Sequence, residues 1–169
     1  FILNKKVLVI EPGFEKFKGH LLKDMSEMEN VDIYIASGGH EQINYGWTEQ
    51  YCVDRFSFDY AKNNLLEVVK LYQDTKGINF DGVLTYVDTS VHFVNDLQHK
   101  LDLPVISMFN DKSIRNKGIA RKRFLDAGIE EPKFKVINRK HKVENRTEEL
   151  PDFPVIMKPT EMMMSLGIR

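Results

Sequence analysis

A chain of 169 residues, 42% hydrophobic and 29% charged, has the make-up of an ordinary globular protein, large enough for one core and the start of a second. Its 24 basic and 25 acidic residues leave a net charge of −1, so no global field draws it to nucleic acid or to an anionic membrane. The single cysteine, Cys52, excludes an intrachain disulfide and a cysteine-rich metal site, and it fits a reducing cytoplasm.

No apolar run approaches the roughly 20 residues that span a bilayer, and no signal peptide is visible. "KVLVIEPG" opens the chain as a solid apolar run stopped by Pro12-Gly13, the mark of a strand buried on both faces. Phe17, Leu21, Met25 and Met28 then recur at helical spacing. "VDIYIASGG" is a second buried strand, and "YCVDRF" reads as a shorter third. From Asp59 to about Gln73, the stripe Ala61, Leu65, Val68, Val69 and Tyr72 predicts an amphipathic helix. "FDGVLTYVD" is the next strand, Val91, Val94, Leu97 and Leu101 mark another helix, and "LPVISMF" is one more strand. Strands that alternate with helices, each strand a continuous apolar run, predict an open parallel α/β sheet over 1–109.

The pattern changes after residue 109. "NDKSIRNKGIARKRFLDAG" predicts a helix opened by Asn110 or Asp111 and stopped by Gly128. "EPKFKVIN" and "LPDFPVIMKP" read as strands joined through the charged stretch 139–149, so 110–169 predicts a second, antiparallel α+β lobe.

Several familiar chemistries find no motif. The first βα turn, "EPGFEKFKG", holds Gly13 and Gly19 but not G-x-G-x-x-G, and the phosphate loop G-x-x-x-x-G-K-[ST] is absent. G-x-S-x-G and H-E-x-x-H are absent as well. Asp88, Thr89 and Ser90 end a buried strand, where α/β sheets bind ligands, but the same residue types cap helices, and both readings stay open. Six cations crowd the predicted helix at 112–123; of these Lys117 and Arg121 stand one turn apart on one face. Lys158 ends an apolar strand, Pro159 closes it, and Ser165 and Gly167 offer a hydroxyl and an unobstructed amide suited to phosphate oxygens. On spacing alone, a hairpin loop with a solvent-exposed lysine is the preferred reading of that stretch.

Together, "NKGIARKRFLDAGIEEPKF" and "FPVIMKPTEMMMSLGIR" resemble the ATP-grasp superfamily, and within it the branch of amino-acid and dipeptide ligases. The resemblance covers the chain well from about residue 78 and the earlier part by architecture alone. It implies a Rossmann-like front (pre-ATP-grasp) domain at 1–109, followed over 110–169 by the linker helix and part of the ATP-grasp small lobe. It also implies nucleotide-binding roles for Lys117, Arg121, Lys158, Ser165 and Gly167, with no catalytic acid, base or nucleophile and no metal ligand among these residues. Two departures stand out. Glu161 and Met162, Met163 and Met164 fill a loop that is normally rich in Gly, Ala and Ser. Family members also continue well past the equivalent of Arg169, so the catalytic lobe with its magnesium ligands is expected outside this chain.

The activity so implied is ATP- and Mg2+-dependent joining of a carboxylate, such as an amino acid, to an amine through an acyl phosphate. The implied partners are small molecules, with no nucleic acid and no membrane; a homodimer and a cytoplasmic location fit the same resemblance. A non-catalytic nucleotide- or partner-binding module, short or split, is the alternative, and an unrelated Rossmann-like binder is a third.

Overall fold

The computed structural model describes residues 3–38, 45–105, 115–130, 132–137 and 153–161. The chain divides into two compact units, Phe1–Asn110 and Asp111–Arg169.

The first unit is an α/β sheet. Strands β1 (Lys5–Ile10), β2 (Val31–Ser37), β3 (Asp54–Ser57) and β4 (Gly82–Leu84) lie in the order β3-β2-β1-β4, and every pairing is parallel. Helix α1 (Glu15–Ser26) lies in the crossover from β1 to β2, helix α2 (Leu65–Lys76) in that from β3 to β4, and helix α3 (Val91–Lys100) follows β4. The continuous apolar runs have the cause expected of them, burial on both faces. Leu8 and Ile10 of β1 join Tyr34 and Ala36 of β2 in a core completed by Leu65 and Val69 of α2 and Val94 and Leu97 of α3. The alternate residues Val9, Ile33 and Ile35 face the other way, against Leu22 and Met25 of α1.

Element ends differ from the sequence reading where polar side chains compete for the backbone. The stretch 59–64 forms a turn rather than the first turn of α2: Asp59 Oδ1 accepts from the Ala61 amide, and Asn64 Oδ1 accepts from the Asp59 amide. On α1 the fully buried position belongs to Leu22, while Phe17 stays exposed, as does Met28 beyond the helix end. Strand β4 is only three residues long. Most of "LPVISMF" lies outside the described residues.

In the second unit, α4 (Lys117–Asp126) starts later than the sequence predicts. Asn116, with an extended backbone, is its N-cap; the Asn116 side chain accepts from the Gly118 and Ile119 amides. Asn110 and Asp111, the caps read from sequence, lie outside the described residues, and the extended Asn116 breaks any helix running through from them. The described parts of the two expected strands, 132–137 and 153–159, carry no regular strand ladder. Residues 132–137 nonetheless meet α4 with alternate side chains: Val136 lies against Gly118, and Phe134 lies 5.9 Å under the Arg121 guanidinium.

Candidate functional site

Two polar arrangements stand out, one in each unit.

In the first unit the carboxyl edge of the sheet holds a buried acid. Glu11 directly follows β1, is 5% exposed, and has a left-handed backbone (φ 53°) that L residues adopt only at a cost. Its Oε1 accepts from the Gly38 amide at 2.6 Å, just past β2, and its Oε2 from the Tyr45 hydroxyl at 2.5 Å. Gly38 is required by this closeness, since a Cβ there would fall 2.1 Å from the Tyr60 ring and 2.9 Å from Glu11 Oε1. Burial and the neighbouring Glu11 carboxylate push the Tyr45 phenol well up. Burial likewise pushes Tyr60 up to about 12, against a lowering contribution from Ser90. Tyr60 Oη and the buried Ser90 Oγ are 3.4 Å apart.

Asp88, Thr89 and Ser90 form a short 3-10 turn ahead of α3. Neither that turn nor α3 has a side-chain cap hydrogen bond, so capping does not account for these residues. Asp88 and Thr89 are exposed. A pocket of about 450 Å³ lies beside β3, lined in part by Tyr45, Glu49, Cys52 and Arg55. The Arg55 guanidinium there donates to the Tyr45 carbonyl and pairs with Glu49, and burial pushes the Cys52 thiol up.

In the second unit the start of α4 meets the segment after Lys158. The Lys117 amide donates to the Thr160 carbonyl at 2.9 Å, and Lys117 Nζ lies 3.5 Å from the same oxygen. Asn116 Nδ2 donates to Glu161 Oε1 at 2.8 Å, and Arg115 Nη2 lies 3.4 Å from the Glu161 carbonyl oxygen. The first-turn amides of α4 are therefore all engaged: Lys117 by Thr160, and Gly118 and Ile119 by Asn116. An anion arriving here meets side-chain charge rather than open helix amides.

Of the residues singled out in the sequence, Lys117 and Lys158 flank this junction, Lys158 two residues before the bonded Thr160 and exposed. Arg121 lies over Phe134. Ser165 and Gly167 lie outside the described residues. Sequence reasoning passed over Asn116 and Glu11. Asn immediately ahead of a helical stretch was a usable cap signal, whereas Glu11 gathers partners from residues distant in sequence. Among the described residues no cluster of three or more His, Cys, Asp or Glu is placed to hold a metal ion. No described helix is long and apolar enough to cross a membrane.

No protein-family model matches the sequence. No curated protein matches it either. Among solved structures the fold is similar to that of an L-amino acid ligase from Bacillus licheniformis, with a TM-score of 0.69 at 16% identity. The match covers 98% of this chain and 37% of the ligase, so the chain spans little more than a third of that protein's length.

Proposed function

We propose that this chain is the nucleotide-side portion of an ATP-dependent ligase that joins a carboxylate, such as an amino acid, to an amine. The observation that carries the reading is the Lys117–Thr160 bond, which ties the helix bearing one candidate phosphate lysine to the segment bearing the other. The likeness in fold to the L-amino acid ligase from Bacillus licheniformis supports it.

The residues present fit a polyphosphate. Lys117 and Lys158 supply ammonium donors from two separate segments, and with the first-turn α4 amides engaged, positive charge at this corner comes from side chains. ATP supplies the γ-phosphoryl group. In the proposed sequence a carboxylate oxygen takes that group, leaving ADP and an acyl phosphate; the amine attacks the acyl carbon, phosphate departs, and the amine's proton goes to solvent. Lys117 and Lys158 act by binding and orienting charge, not by moving protons. Among the described residues no three His, Cys, Asp or Glu are grouped to hold a metal ion, and the proposal assigns magnesium ligation to residues outside them.

The test is ATP-dependent phosphate release by the full-length protein across a panel of amino acids. The proposal expects release that needs ATP, a carboxylate and an amine together. ATP binding without release under any pairing supports the non-catalytic module instead, and no ATP binding overturns both.

A further inference from the structure

We infer that Glu161 sets the charge selectivity of this site, disfavouring metal-free triphosphate relative to its magnesium complex. The inference rests on the nucleotide reading of Lys117 and Lys158 and adds a residue that the resemblance does not assign.

Glu161 follows Thr160, whose carbonyl is bonded to the Lys117 amide. Its carboxylate is held 2.8 Å from Asn116 Nδ2, beside Lys117 in the chain. The Asn116 amide has little freedom to turn, because its Oδ1 already accepts from Gly118 and Ile119 at 3.1 Å each. Its Nδ2 is thereby aimed at Glu161, and the acid is seated at the positive end of α4, where a carboxylate is favoured. A negative charge is thus fixed in the neighbourhood where the two lysines would draw in phosphates.

An arriving triphosphate must either displace this carboxylate or bear its repulsion. A magnesium complex carries less negative charge than the free nucleotide, so the penalty falls mainly on metal-free ATP. A purely structural latch makes a different prediction. Glu161→Gln keeps an acceptor oxygen for Asn116 while deleting the charge, so a latch leaves nucleotide affinity unchanged, whereas a charge filter does not.

The experiment is calorimetric titration of the full-length protein with ATP in EDTA and with ATP in excess Mg2+, for the native protein, Glu161→Gln, Glu161→Ala and Lys158→Ala. Glu161→Gln should bind metal-free ATP at least about threefold more tightly than the native protein, the scale of one exposed charge. The magnesium complex should gain less, Glu161→Ala should follow Glu161→Gln, and high salt should shrink the difference. If Glu161→Gln binds metal-free ATP no more tightly while Lys158→Ala weakens both forms, the nucleotide reading stands and the charge filter is overturned. If the native protein binds neither form, both are overturned.

Discussion

The backbone amide of Lys117 donates to the carbonyl oxygen of Thr160 at 2.9 Å, joining residues 43 positions apart at the start of α4 and just beyond Lys158. The bond needs no particular side chain at either position. It fixes where the helix begins relative to the segment after Pro159, with Lys117 at the bond and Lys158 two residues before Thr160 in the chain. The same corner holds the Asn116 cap and the Glu161 carboxylate.

Gly118 stands in the first turn of α4, where a Cβ would meet Val136 Cγ2 at 2.7 Å. Glycine costs a helix about 0.5–1 kcal/mol relative to alanine, so replacement should stabilise wherever space allows. Gly118→Ala should therefore raise stability by about that amount in a Val136→Ala background and gain much less in the native one. Paired thermal melts measure the coupling; an equal gain in both backgrounds would contradict the contact.

Glu11 leaves two donors unsatisfied if it is truncated, the Gly38 amide and the Tyr45 hydroxyl. Glu11→Ala should destabilise the first unit by about 2–3 kcal/mol, the range for hydrogen bonds to a charged partner plus the cost of stranding them. Glu11→Gln should cost less. Urea titration reads both, and an alanine variant as stable as the native protein would refute the cluster's role.

Asp54 opens β3 and accepts from Lys76 Nζ and from the Tyr72 hydroxyl, each at 2.8 Å. The Lys76 ammonium, then the Tyr72 hydroxyl and the Arg55 amide, hold the Asp54 carboxyl down at about 2. A free aspartate titrates near about 3.9, so the contribution of these contacts is fully present above that pH and is lost as pH falls toward 2. The melting temperature of the native protein should drop more steeply than that of Asp54→Asn between pH 4 and pH 2. Parallel slopes would rule out the ion pair as a source of acid sensitivity.

The sheet was legible because its strands state their burial directly. In β1 and β2 both sets of alternate residues are apolar, Leu8 and Ile10 facing α2 and α3, Val9 facing α1. Helix starts were less legible, since Asp59, Asn64 and Asn116 compete for nearby amides and periodicity does not weigh that competition. The family resemblance drew attention to Lys117 at the start of α4, but its bond to Thr160 was not legible, because backbone pairing across 43 positions leaves no mark on residue type. Glu11 was hidden for a related reason. "EPG" reads as a turn, and only the chain's return at Gly38 and Tyr45 turns that glutamate into a buried acceptor.

The central claim is that Lys117 and Lys158 hold the phosphates of one nucleotide, and equilibrium binding of magnesium-complexed ATP to the full-length protein, Lys117→Ala and Lys158→Ala tests it most directly. Each charge-assisted contact to phosphate is worth about 1.5–3 kcal/mol, so each variant should bind at least about tenfold more weakly. Native affinity in Lys158→Ala, with the fold intact by circular dichroism, would contradict the account.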